Sequence, residues 1–313
     1  MSVDEALLEG HSSYRDSRLG ISERFVRLLA GPADTLGVIA SPLGVPQRLG
    51  WVICHSFGSE QVDLHLTDVA MARGLARAGF PTLRFHCQGY GDSWDYSVPP
   101  RPSTHLRDTL DVLEQFPAMA QVDRVGLIGA RLGGTVAALA ADRIGASGLV
   151  LIHPIVSGAK YAAEVLRSRV ITEMLGEDPN RAVTADQLKA EMATTGMVNI
   201  KGWALHRDVF DELRQVDLLK EVGRFSGRAL VFQVTRRRTP SPSLVHLIEK
   251  LRSRGAEAEL DVISHVAAPN FGYEHFRPVA KDVLGDILEG VNHSLVERTL
   301  LWLTAGAAAG VEA

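Results

Sequence analysis

The sequence predicts an α/β protein whose sheet is mostly parallel and covered by helices on both faces. Three observations carry this. Short apolar runs alternate with helical stretches of about 10 to 15 residues, the pattern of strand–helix–strand units. At 124–141 a strand, a glycine-flanked turn and a helix follow one another directly. From about Ser157 to Gly223 the alternation stops for a charged, mostly helical stretch, and then resumes.

The elements follow in order. Residues 1–20 are polar and read as loosely held. Arg24 to Ala30 and Leu36 to Ala40 read as strands joined by the turn Gly31-Pro32-Ala33-Asp34. Gly50 to Cys54 is a continuous apolar strand, buried on both faces. Val62, Leu64, Leu66, Val69, Ala70 and Leu75 give 61–78 a helical period, which stops at Gly79. Strands follow at 81–85, 124–128 and 148–152, with a helix at 104–116 between the first two. After the interruption come a strand at 228–234, a helix at 244–254, a strand at 257–263 and a closing helix at about 295–307. The reading divides the chain into a core of 1–156 and 224–313 and a helical lid of 157–223. Open α/β sheets bind ligands at the carboxyl ends of their strands, where such a lid would sit.

Composition narrows the function classes. The chain has 313 residues, 46% hydrophobic and 22% charged, with a net charge of −4. That length supports a deep core, and that charge is no nucleic-acid footprint. Cys54 and Cys87 are the two cysteines, too few for a disulfide framework, so a reducing compartment is expected. No signal-peptide pattern opens the chain and no apolar run reaches the roughly 18 residues of a membrane span. The expectation is a cytoplasmic protein with neither membrane nor nucleic-acid partner.

The turn at 129–134, Gly-Ala-Arg-Leu-Gly-Gly, is the most informative segment. A G-x-S-x-G nucleophile turn needs this strand–turn–helix context, and Arg131 stands at its serine position. Two further segments matter. Leu83-Arg84-Phe85-His86-Cys87-Gln88-Gly89-Tyr90-Gly91-Asp92-Ser93 is similar to R-F-D-x-x-G-x-G-D-S, and His55-Ser56-Phe57-Gly58 follows the strand at 50–54. Together these resemble α/β-hydrolases of the serine-aminopeptidase-like type. The resemblance implies an α/β-hydrolase fold: a mostly parallel central sheet, helices on both faces and an inserted helical lid. It also implies that 55–58 forms half of an oxyanion hole. A narrower resemblance, to exosortase-associated members with an arginine at the serine position, rests on Pro154-Ile155-Val156-Ser157-Gly158-Ala159-Lys160-Tyr161, on Gly202-Trp203-Ala204-Leu205 and on Asp211-Glu212-Leu213.

A Ser-His-Asp triad needs a nucleophile, a base and an orienting acid. Arg131 is always protonated and cannot attack. The loop after the strand at 228–234 is Thr235-Arg236-Arg237-Arg238-Thr239-Pro240, with no acid until Glu249. The loop after 148–152 begins His153-Pro154, with no acid until Glu164. His265, His275 and His293 follow the last strand, outside the usual pattern. Ordinary serine hydrolysis is therefore not expected.

Arg131 at a helix N-terminus suits a substrate carboxylate or phosphate, with Arg236, Arg237 and Arg238 adding positive potential. The alternative is an internal ion pair, for example with Asp92, Asp95 or Glu274. His55, His86, His265 and His275 are the candidate acid–base residues. Ser56, Phe57 and Leu132, beside Arg131, are the candidate substrate-binding positions. Cys87 is a candidate displaced nucleophile, while Cys54 reads as core. Asp92 and Ser93 read as loop-holding. No cluster has metal-ligand spacing, and no cofactor is implied.

Two functions compete. One is an enzyme with altered chemistry acting on an acyl or peptide-like substrate with an anionic group, by serine-independent hydrolysis, epimerisation or cyclisation, in specialised metabolism. The other is a non-catalytic pseudo-hydrolase that serves as a binding or scaffold protein. A carrier protein and a second copy of the chain are the candidate macromolecular partners.

Overall fold

A computed structural model describes residues 12–91, 93, 99–174, 183–235, 239–264 and 281–309. A nine-stranded sheet runs β1-β2-β3-β5-β4-β6-β7-β10-β11. Its strands are β1 (Ser13–Asp16), β2 (Ile21–Ala30), β3 (Ala33–Pro42), β4 (Leu49–Cys54), β5 (Thr82–Phe85), β6 (Arg124–Ala130), β7 (Gly148–Ile152), β10 (Arg228–Thr235) and β11 (Glu257–Ser264). From β5 onward across the sheet every pairing is parallel, and β1, β2, β3 and β5 meet antiparallel. The mostly parallel sheet expected from the alternation is present, with three antiparallel strands, β1 to β3, at one edge.

Each face has its own apolar core. Helices α1 (Glu60–Arg77) and α9 (Lys281–Ala309) cover one face, through Leu64, Met71, Leu75, Val291, Leu295 and Trp302. Helices α2 (Pro102–Ala120), α3 (Leu132–Ile144) and α8 (Pro242–Arg252) cover the other, through Leu113, Phe116, Val136, Ala140, Leu247 and Leu251. Strands β4, β6 and β7 lie under both layers, which is why their sequences are continuously apolar. The fully buried Trp51 lies against Gly126 and Gly148, where an added Cβ would come within 2.5 and 2.8 Å of its ring.

Between β7 and β10 the chain forms α4 (Gly158–Met174), α5 (Ala185–Thr195), the hairpin β8 (Met197–Ile200) and β9 (Trp203–His206), α6 (Arg207–Gln215) and α7 (Leu218–Glu221). The hairpin adds strands to an insertion read as mostly helical, with no strand pattern. Its strands are four residues each, and only Val198, Ile200 and Leu205 turn inward, too short an alternation to register. The insertion has its own core: Tyr161, Val165, Leu166, Leu188, Met192, Ile200, Leu205 and Leu213 gather around Phe57 and Leu132. It therefore sits against the carboxyl ends of β4 and β6.

Two further readings change. β1 falls within the stretch expected to be loose, and its residues mostly face solvent. Helix α9 begins well before 295. Gly285, Gly290 and Asn292, poor helix formers, mask its first turns in the sequence.

Candidate functional site

The turn between β6 and α3 is a sharp, strained strand-to-helix connection. Arg131 caps α3 with φ 53° and ψ −124°, a sparsely populated conformation for a residue with a side chain. Its N–H donates to the Ile152 carbonyl (3.0 Å), and its own carbonyl accepts from Ile155 (3.2 Å). The flanking glycines answer to close approach. A Cβ on Gly129 would lie 2.3 Å from the Gly133 carbonyl oxygen, and one on Gly133 would lie 2.2 Å from that of Cys54. Leu132 opens the helix, so its N–H belongs to the first turn, which has no intrahelical acceptor.

The Arg131 side chain is 4% exposed and turns into an internal ion pair. Nε donates to Glu60 Oε1 and Nη2 to Glu164 Oε2, each at 3.0 Å. Tyr161 Oη donates to the other Glu60 oxygen at 2.9 Å, and the guanidinium lies 5.5 Å from the Tyr161 ring centroid. Glu60 is the first residue of α1, while Tyr161 and Glu164 lie one turn apart on α4. The network therefore fastens the insertion to the core across the top of β6. Burial opposes the charge on Arg131, but Glu60, Glu164 and Tyr161 outweigh it and hold the guanidinium above its ordinary value. Burial pushes the Glu60 carboxyl up, and Arg131 and Tyr161 pull it back.

The internal pair was one of two expectations for Arg131, but its partners differ from those suggested. Asp92, Asp95 and Glu274 lie outside the described residues. Glu164, the first acid after β7, supplies one carboxylate. Glu60 was missed. An acid in the first turn of a helix is favoured there by the helix dipole whether or not it is buried, so its type and position did not mark it.

His55 does not fit the catalytic role expected of it. Nδ1–H donates to the Ser56 carbonyl at 2.7 Å, and Nε2 accepts from the Cys87 N–H at 3.0 Å. Both ring nitrogens are engaged, and burial pushes the imidazole down to about 4. A neutral ring with its lone pair occupied has no capacity to take a proton. His105, which the motifs did not single out, stacks edge-on against His55 with centroids 4.8 Å apart and is held well below the usual imidazole value by burial. His86 is half-buried, 6.3 Å from the His55 ring, and lines a cavity beside α1. His265 and His275, like Arg236, Arg237 and Arg238, lie outside the described residues.

Ser56 is also committed, its hydroxyl donating to the Ala130 carbonyl at 2.8 Å. The Phe57 ring meets Trp203 of the insertion edge-on at 5.0 Å. Tyr90 Oη accepts from the Gly58 N–H at 2.7 Å, and Ser93 Oγ accepts from Gly89 and Tyr90, so Ser93 holds its loop as expected. Cys87 is 1% exposed and burial raises its thiol well above the ordinary range, which argues against a nucleophile. Burial pushes Cys54 up to about 12. Ligand atoms of His55, Cys87 and His105 lie within 4.8 Å of one another. A metal there would compete with the Cys87 N–H for the His55 lone pair and would need the Cys87 thiol ionised, so this trio fits a hydrogen-bonded core cluster better.

No protein-family model and no curated protein matches the sequence. Solved structures do match in shape. Est1E from Butyrivibrio proteoclasticus, determined with ferulic acid bound, aligns with a TM-score of 0.59 at 17% identity over 89% of this chain and 99% of its own. A Pyrococcus furiosus esterase aligns with a TM-score of 0.59 at 14% identity, over 91% and 93% of the two chains. An alpha-beta serine hydrolase homologue from Coxiella burnetii aligns with a TM-score of 0.51 at 14% identity, over 88% and 96%. The fold is that of the α/β-hydrolases.

Proposed function

We propose that this protein is a pseudo-hydrolase: an α/β-hydrolase-fold protein that works by recognition, with its degenerate nucleophile turn converted into a fastening for the lid. One observation carries the reading. The residue at the nucleophile position spends its side chain on Glu60 of the core and Glu164 of the insertion. The apolar cluster around Phe57 and Leu132 is filled by the insertion's own side chains, which supports a closed site. Its partner would be an acyl or peptide-like group, free or on a carrier protein.

The test uses a panel of aryl esters and amides and a fluorophosphonate probe, on the full chain and on Arg131→Ser. Neither protein should exceed the buffer rate or take the label, because a serine there would face no free base on His55. Turnover by the unaltered chain that Arg131→Ala abolishes would overturn the proposal. Turnover gained by Arg131→Ser would also overturn it, by showing a working base within reach of position 131.

A second reading has its own support. The Glu164 side chain is 39% exposed, so its half of the ion pair lies nearer solvent. A substrate carboxylate could exchange for Glu164 on the guanidinium, leaving Arg131 as an anion clamp in an enzyme with altered chemistry. That reading requires Arg131→Ala to weaken substrate affinity, and unchanged affinity would eliminate it.

A further inference from the structure

The β2–β3 hairpin is longer than the strand beside it. β3 pairs with β5 only from Gly37 to Ala40, so residues 27–36 project beyond that pairing. One face of the hairpin is covered. Val26, Leu28 and Ala30 join the core under α2, and the N–H groups of Leu29 and Gly31 donate to Gln115 and Asp111 of that helix. On the other face the core under α1 takes in Ile21 and Ala40 but stops short of Phe25, Leu29 and Leu36. These three stand 52%, 59% and 37% exposed. A strand that is apolar on both faces is built for cover on both, and α2 accounts for one.

The ladder makes the bare side chains one patch. Phe25 lies opposite Val38, Leu36 lies opposite Arg27, and Leu29 follows two residues further along β2. Tyr14 of β1, 58% exposed, lies opposite Glu23 and so points to the same face. Between α1 and Phe25, Leu36 and Val38 a cavity of about 260 Å³ opens, which marks where the helix leaves the sheet. Tyr14, Phe25, Leu29 and Leu36 together present on the order of 400 Å² of apolar surface, taking roughly 200 Å² for one whole aromatic side chain. That is about half of the ~800 Å² that each partner buries in a stable dimer, the share of an apolar centre within a polar rim.

Charges bordering the patch are matched within the chain. Arg27 pairs with Asp34, Arg73 and Arg84 pair with Glu23, and Asp16 also acts on Arg73. A border that carries both signs gives no hold to an anionic lipid surface or to a strongly acidic or basic protein. It complements a second copy of itself, because a two-fold axis can set each sign against its opposite.

We propose that this face is a self-association surface: two copies of the chain pack their β2–β3 hairpins face to face about a two-fold axis. Phe25 and Leu29 lie at the centre, with Arg27 and Asp34 at the rim. None of these residues belongs to the Arg131 network, so the surface stands whether the protein works by recognition or by catalysis.

Sedimentation equilibrium on the full chain should show a dimer by about 100 μM. Phe25→Ser should raise its dissociation constant about thirtyfold or more, the loss of one central anchor. Phe25 is half exposed, so the variant should keep its fold. Leu29→Lys repeats the test at a more exposed position, and urea midpoints check both variants. Leu301→Ser, at an exposed position of α9, should leave the dimer intact. Hydroxyl-radical labelling should find Tyr14, Phe25 and Leu29 shielded as the dimer forms, with the exposed Met174 labelled as before. A monomer at the highest concentration would overturn the proposal, whether those side chains are then labelled freely or shielded by another part of the same chain. A dimer that survives both Phe25→Ser and Leu29→Lys would place the interface elsewhere and overturn it too.

Discussion

Arg131 shows how one side chain can be sterically tolerated and electrostatically demanding at once. Its backbone strain is imposed by the turn, at a cost of about 1–3 kcal/mol, and surrounding contacts hold it there. Its charge, in contrast, is matched by carboxylates drawn from both sides of the β6–α3 turn. Removing the charge alone leaves Glu60, 5% exposed, facing Tyr161 without a cation. Arg131→Ala should therefore destabilise the protein by about 3–5 kcal/mol in urea denaturation, the cost of orphaning a buried ion. Arg131→Met combined with Glu60→Gln should recover most of that loss, because no uncompensated charge remains. Equal losses in the single and double variants would show that the pair contributes nothing through charge. At this scale the sequence exposed Arg131 itself, since a pattern with one wrong letter is conspicuous. It did not reveal Glu60, because a buried acid on a helix looks like any surface acid until its partner is known.

At the scale of elements, the insertion is closed on itself and against the core by small residues as much as by charges. Gly158 starts α4 where a Cβ would lie 1.8 Å from the Leu213 carbonyl oxygen of α6. Trp203 of β9 closes over Gly58, which has φ +60°. Three segments that stood out in the sequence, at 154–161, 202–205 and 211–213, thus meet at the interface between insertion and core. Their spacing was readable, but their joint purpose was not, because it depends on contacts between residues about fifty positions apart. Gly158→Ala should cost about 1–3 kcal/mol through overpacking. Hydrogen exchange should show the loss concentrated in 158–222, with β4, β6 and β7 protected as before. Uniform loss over the sheet would mean that the insertion and core unfold as one unit.

For the whole molecule, buried titratable groups set opposing pH dependences. His55 and His153 are pushed down to about 4 and His105 well below its usual value, each chiefly by burial. Below about pH 6.5 the unfolded chain gains protons that the folded chain refuses, so stability is lost as pH falls toward 4. Asp68 acts in the other direction. With its folded value raised to about 8, the folded state holds a proton that the unfolded state releases near pH 4. Its contribution therefore falls as pH rises from about 4 to 8, at ~1.4 kcal/mol per unit at most. The buried histidines thus give an acid limb below about 6.5, and Asp68 contributes an opposing loss of stability, the alkaline limb, that continues up to about 8. Asp68→Asn should flatten the alkaline limb and leave the acid limb in place, as read from urea midpoints between pH 4 and 9. An unchanged alkaline limb would show that Asp68 is ionised in the fold. The sheet and its alternation were plain from sequence because apolar runs recur at regular spacing. These titrating groups were not, because whether an aspartate on a helix turns inward depends on which neighbouring helix rows carry the core.

The glycines around Arg131 have a consequence for how such proteins are recognised. Gly129 and Gly133 are demanded by van der Waals distances to backbone oxygens, and those distances are indifferent to the residue between them. Selection for chemistry and selection for shape therefore write in different letters of the same six-residue word. A change of side chain at the centre alters only the middle letter. A chain with any residue in the middle place keeps an address in sequence space that still spells the same architecture.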